Sequence, residues 1–142
     1  MFVSDILKGK GTSTISVTSN QSVEEALALL AQHRIGAVLV MDAGGSIAGI
    51  LSERDLVRAM SRLGKEVFDR KVGDLMTSAV VTCTSKDPVA AIEAMMTSQR
   101  FRHVPVVEEG RLIGMISIGD VVKARIEEAE AEVDALRRYI SL

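Results

Sequence analysis

Two rhythms of apolar residues alternate along the chain, and each predicts a kind of element. Ile15 and Val17 alternate with Ser16 and Thr18, and Val81 and Cys83 alternate with Thr82 and Thr84. A period of two puts the apolar side chains on one face of a short strand. Val23, Ala26, Leu27 and Leu30 then recur at three- and four-residue spacing, as do Val89, Ile92, Met95 and Met96. That spacing is the stripe of a helix packed on one side. Ser22 suits the N-cap of the first helix, and Pro88 suits the start of the second, where an N–H would be unpaired anyway. Val38 to Met41 and Val104 to Val107 are nearly unbroken apolar runs, which predicts strands covered on both faces. Asp42-Ala43-Gly44-Gly45 and Glu108-Glu109-Gly110 read as hairpin turns, with Ile47 to Leu51 and Leu112 to Ile116 as the return strands. A helix follows each return strand, opening near Ser52 and Ser117.

These elements are one β-α-β-β-α unit written twice. Ser22-Val23-Glu24-Glu25-Ala26-Leu27 falls over Pro88-Val89-Ala90-Ala91-Ile92-Glu93, and Arg34-Ile35-Gly36-Ala37 over Arg100-Phe101-Arg102-His103. One residue is lost in the turn, after which Gly49 to Val57 matches Gly114 to Val122. The starts answer each other too, Val3-Ser4-Asp5-Ile6-Leu7 against Val72-Gly73-Asp74-Leu75-Met76. The expected organisation is a first repeat over residues 1–62, a linker over 63–71, a second repeat over 72–124 and a C-terminal amphipathic helix over 125–142. A small sheet with two helices cannot bury its open face in about sixty residues. The predicted fold is therefore α/β (α+β), with two repeats packed face to face about a pseudo-twofold axis. Such packing creates two related clefts where strand ends meet helix starts.

The sharpest local pattern is Gly-x-x-Ser-x-x-Asp, at Gly49 to Asp55 and again at Gly114 to Asp120. Ser-x-x-Asp is a relative of the capping box, in which serine and carboxylate satisfy N–H groups at a helix start. It also suits a nucleotide. The helix N-terminus and a serine hydroxyl favour a phosphate, a carboxylate one turn on accepts from ribose hydroxyls, and a preceding glycine allows close backbone approach. Two copies at one place in a repeat favour the second reading.

With the Arg100-Phe101-Arg102-His103-Val104-Pro105-Val106 run and the paired opening segments, the chain resembles a tandem pair of CBS domains over nearly all of residues 1 to 124. That family binds adenosine-containing ligands in clefts between its repeats and regulates something else. The resemblance implies one site in which Asp120 holds a ribose and Ser117 a phosphate. Thr14, Ile15, Val17, Ile35 and Gly36 would lie against the base, with Arg102, His103, Ile116 and Gly119 completing the site. It implies a second site in which Asp55 and Ser52 play those roles, with Leu51, Arg54, Val80, Val81, Cys83, Phe101 and Arg102. AMP leads the expected ligands, with ATP, ADP and NAD(H) behind it. Arg102 and His103 replace Gly36 and Ala37 of the first repeat, so two sites of unequal affinity are expected.

Composition narrows the function further. An apolar fraction of 47% excludes a disordered chain, and a net charge of −2 provides no strong field for nucleic acid. A single cysteine allows no internal disulfide and no multi-cysteine zinc site. No apolar run is long enough to span a bilayer, so the reading is of a soluble cytoplasmic protein. His33 and His103 form no metal spacing, and Cys83 reads as an inert strand thiol. Met95 and Met96 read as core filling. Gly9-Lys10-Gly11-Thr12 lacks the preceding glycine pattern of a P-loop. No catalytic residue and no catalytic cofactor are expected.

Near the C-terminus Val122, Ile126, Ala129, Val133, Leu136 and Ile140 alternate at four- and three-residue spacing, a short heptad seam. In a parallel pair, Arg125 would face Glu130 of a second copy and Glu132 would face Arg137. The alternative is that the helix folds back on its own chain. The sequence thus points to a non-catalytic adenine-nucleotide sensor, homodimeric, that passes occupancy to an effector protein. The alternative is a ligand-independent dimeric scaffold with vestigial clefts.

Overall fold

The computed structural model describes residues 1–141. Its elements are α1 (Val3–Lys10), β1 (Ser16–Val17), α2 (Val23–His33), β2 (Ala37–Met41), β3 (Ile47–Ser52) and α3 (Glu53–Leu63), then a 3-10 helix (Gly64–Asp69) and α4 (Val72–Leu75). They continue with α5 (Val89–Gln99), β4 (His103–Glu108), β5 (Arg111–Ser117) and α6 (Ile118–Ser141). The architecture is mixed α+β. Two compact units are present. One comprises residues 1–12, 82–108 and 113–142, and the other residues 13–81 and 109–112. The opening helix of each repeat therefore belongs to the unit built mainly from the other repeat.

In the unit of residues 13–81, β1 runs parallel to β2 and β2 antiparallel to β3. Val38 and Val40 of β2 pack with Val17, Val23, Ala26, Leu30, Leu51 and Leu56. Ala37 and Leu39, which point to the opposite side of β2, are also buried, so the unbroken apolar run is a strand with both faces covered. Ser22 caps α2 by accepting the Glu25 N–H at 3.1 Å. The stretch read as a linker is ordered: it forms the 3-10 helix, and Val67 is 1% exposed in the core of this unit.

In the other unit β4 and β5 form a hairpin, and Val104, Val106 and Ile116 pack with Val3, Ile6, Leu7, Val89, Ile92, Met96, Val121 and Ala124. Glu109 (φ 50°) and Gly110 (φ 76°) are both left-handed in its turn, as a two-residue hairpin of this type requires. The strand expected around Val81 to Cys83 is reduced to one parallel bridge, Cys83 to Val106. The reason is chemical. In the first repeat Leu39 N–H donates to Ile15 at 3.2 Å; the second repeat has Pro105 at that place, which has no N–H to give.

The helix expected near Ser117 and the C-terminal amphipathic helix are one element. α6 has 24 residues, about 36 Å of helix. Its first turns are held through buried Val121 and Ala124. Arg125 is tied to Glu93 of α5 at 2.8 Å and to Glu128 at 2.7 Å. Past that point the seam is bare, with Ile126 53%, Leu136 62% and Ile140 80% exposed, so among the described residues the helix does not fold back. No helix among them is long and apolar enough to cross a membrane.

Candidate functional site

Each Ser-x-x-Asp motif lies where a return strand ends and a helix begins. In the first, Ser52 closes β3 in extended conformation and α3 starts at the next residue. Asp55 Oδ2 accepts the Ser52 N–H at 2.9 Å and the Ser52 hydroxyl at 3.0 Å, while Asp55 N–H donates to Ser52 Oγ at 3.3 Å. The motif is thus a complete capping box. The first helical N–H, from Glu53, donates to Gly36 at 2.9 Å. A further donor comes from the segment after α4: Thr77 Oγ1 gives a hydrogen bond to Asp55 Oδ1 at 3.1 Å.

The second motif repeats this corner in the other unit. Ser117 N–H donates to Asp120 Oδ2 at 2.8 Å, Asp120 N–H donates to Ser117 Oγ at 3.2 Å, and Ile118 N–H donates to Arg102 at 2.8 Å. The extra partner is different in kind. Lys10, the last residue of α1, places Nζ 2.6 Å from Asp120 Oδ2. Partial burial alone would raise the Asp120 pKa. The Lys10 ammonium and the Ser117 N–H outweigh it and hold the carboxyl below the ordinary carboxylate value.

The glycines that open the motifs make room for the protein itself. A Cβ at Gly49 would lie 2.7 Å from Met76 Sδ and 2.8 Å from the Thr77 carbonyl oxygen; one at Gly114 would lie 2.8 Å from Leu7 Cδ2. Gly119 is open, with only Ser117 Oγ near, at 3.6 Å. A first-turn helix N–H has no intrahelical partner. Those of Ile118 and Asp120 are taken locally, by Arg102 and Ser117.

The expected site residues divide between the units. Gly36 reaches the Ser52–Asp55 corner through its carbonyl, and Arg102 reaches the Ser117–Asp120 corner in the same way. Leu51 and Ile116 are wholly buried and anchor the two motifs in their cores, and Val17 is a core residue as well. Ile15 and Ile35 pack on the core of their unit and Phe101 on that of the other. Thr14, Val80, Val81 and His103 are half-buried, whereas Arg54 and Arg102 are exposed. His33 is exposed at the end of α2.

Cys83, expected at the second site, is 4% exposed. Its side chain belongs to the core, and its N–H and carbonyl are spent on Pro105 (3.0 Å) and Val107 (2.8 Å). Burial, with Asp87 nearby, pushes the thiol up to about 12, so it stays protonated and inert. Lys10 and Thr77 were not foreseen. The signal available was that both follow the paired opening segments. Among the described residues no cluster of His, Cys, Asp or Glu is placed to hold a metal.

A family model for the CBS domain matches the chain twice, over residues 3–62 and 72–127. The CBS domain-containing protein CBSX3, mitochondrial, of Arabidopsis thaliana is 37% identical, the match covering 97% of this chain and 71% of that protein. The CBS-domain containing protein ATU1752 from Agrobacterium tumefaciens has a structure similar at a TM-score of 0.86, with 47% identity, 88% of this chain and 99% of that one covered. Structures of two similar proteins hold ligands. The CBS domain pair of MJ0100, in complex with 5′-methylthioadenosine and S-adenosyl-L-methionine, has a TM-score of 0.79 at 26% identity, covering 90% and 98% of the two chains. PAE2072 from Pyrobaculum aerophilum, complexed with AMP, has a TM-score of 0.74 at 26% identity, covering 84% and 89%.

Proposed function

The chain belongs to the CBS domain family and carries that domain twice, and from this premise we propose that it is a non-catalytic regulatory module for an adenosine-containing ligand, AMP first among them. The observation that carries this is the duplicated corner. Each has a partly buried carboxylate one helical turn beyond a strand-end serine, and structures similar to this one hold AMP or S-adenosyl-L-methionine. Asp120 and Asp55 accept from ribose hydroxyls. Ser117 and the Gly119 N–H face the 5′-substituent at the positive end of α6. A ligand that prefers one conformation shifts the population that a partner protein meets, which is regulation by linkage.

The test is a thermal-shift panel of AMP, ADP, ATP, NAD, NADH and S-adenosylmethionine on wild type and Asp120→Ala. A ligand at 100 times its Kd stabilises the fold by about 2.7 kcal/mol, a rise of several degrees in Tm. We expect that rise with at least one compound and its loss in the variant. No rise with any of them would leave Ser-x-x-Asp as a pair of caps and favour a ligand-independent scaffold.

The reading includes a homodimer whose main contact is between the domain pairs, with α6 assisting it. The exposed seam from Ile126 to Ile140 is self-complementary in a parallel pair, because Glu132 of one copy meets Arg137 of the other. Arg125 contributes less than its heptad position suggests, since Glu93 and Glu128 of its own chain already hold it. Removing the residues after Lys123 should lower the mass in solution toward one chain, read by light scattering across a dilution series. An unchanged mass would end the role of α6 in pairing.

A further inference from the structure

The carboxylate assigned to the ribose is already occupied by a cation. Lys10 Nζ and the Ser117 N–H share Asp120 Oδ2, at 2.6 and 2.8 Å. A ribose hydroxyl donating to Asp120 competes with that ammonium for the same group. The Lys10 and Asp120 side chains are 37% and 23% exposed, and ion pairs open to solvent are weak enough for a ligand to break. Lys10 also stands where the backbone is uncrowded. It ends α1 between Gly9 and Gly11, Gly11 takes φ +92°, and the space beside both glycines is empty to 4 Å.

An ammonium displaced from Asp120 needs another anion within the reach of its stem. With ribose on Asp120, the ligand's 5′-substituent lies a few bonds away, at the start of α6, where a side chain at Gly119 would meet only Ser117 Oγ, at 3.6 Å. A 5′-phosphate there offers strong acceptors to a mobile point charge. A 5′-hydroxyl, a thioether or a sulfonium does not, and a sulfonium repels it. Resting on the function proposed above, we propose that Lys10 is the specificity-determining residue of the Asp120 corner. It exchanges the carboxylate for the ligand's phosphate, so this corner selects 5′-phosphorylated adenosine over uncharged or cationic adenosyl compounds.

At the Asp55 corner the residue that makes the corresponding contact is different. The extra partner there, Thr77, is uncharged and is pinned by paired backbone hydrogen bonds to Ile50, both 2.9 Å. Thr77 therefore cannot act by charge as Lys10 does.

The experiment is calorimetric titration of wild type, Lys10→Met and Asp120→Ala with AMP, adenosine and S-adenosylmethionine. The binding component that Asp120→Ala abolishes reports this corner. Methionine keeps most of the stem and removes the charge. In Lys10→Met that component should weaken tenfold or more for AMP, while adenosine and S-adenosylmethionine bind several-fold tighter because their competitor for Asp120 is gone. A merely structural lysine would move all three ligands in one direction, and that result, or an unchanged AMP-to-adenosine ratio, overturns the inference while the adenosine site stands. If wild type binds none of the three, the functional reading fails and the inference falls with it.

Discussion

The two Ser-x-x-Asp corners share the reciprocal serine and aspartate hydrogen bonds of a capped strand-to-helix junction, and they differ in the partner that the segment after each repeat's opening brings to the carboxylate. Asp55 receives a hydroxyl from Thr77, a residue fixed at both N–H and carbonyl to Ile50. Asp120 receives an ammonium from Lys10, whose backbone is flanked by glycines. Both partners come from the end of an opening helix or just after it, in the segment that each repeat contributes to the other unit. Duplication thus preserved the frame of the corner while the crossing segment set its electrostatics. The first carboxylate takes an uncharged hydroxyl from a residue pinned through its backbone, and the second takes an ammonium.

The largest difference expected from this contrast is in stability. The room at Gly49 is bounded by the Met76 thioether and by the Thr77 backbone carbonyl, whereas the room at Gly114 is bounded by the end of the Leu7 side chain. Backbone pinned by two hydrogen bonds cannot step aside, but a leucine tip can rotate. Gly49→Ala should therefore cost about 1–3 kcal/mol, as overpacking usually does, and Gly114→Ala under about 1 kcal/mol. Urea unfolding of the two variants measures this. Equal costs would mean that the crossing segments are held alike at both corners.

Much of this frame was legible because it rests on periodicity and turn chemistry, which are local. The alternation at Ile15 and Val17, the stripe from Val23 to Leu30 and the apolar run ending at Met41 each became the element they predict. What escaped depends on backbone partners or on distant chain. The strand near Cys83 shrank because Pro105 lacks an N–H, which shows only once the pairing register is known. Arg34 and Arg100 both end helices in left-handed conformation, with φ 54° and 60°, at matching repeat positions where the usual signal would be glycine. Lys10 is far from Asp120 in sequence, and no local pattern announces their meeting. The motif gave both carboxylates; the crossing of the opening helices supplied what distinguishes them.

The smallest expected effect isolates the Lys10–Asp120 contact in the absence of any ligand. The Asp120 pKa is lowered in the folded protein, through Lys10 and Ser117 and against the opposing pull of burial. A depressed carboxyl pKa contributes stability above its unfolded value, about 3.9, and that contribution disappears as pH falls through the folded value. The share due to Lys10 is screened, because both side chains are partly exposed, and should amount to a few tenths of a kcal/mol. Wild type should therefore exceed Lys10→Met in stability near neutral pH by that margin. The gap should close below about pH 4 as Asp120 protonates, and it should also shrink at high salt. Urea midpoints along a pH series at low ionic strength resolve it, with other carboxyls cancelling in the difference between the two proteins. A gap that persists unchanged into acid would mean that Lys10 acts through packing of its stem, and the Asp120 corner would then be as neutral in effect as the one at Asp55.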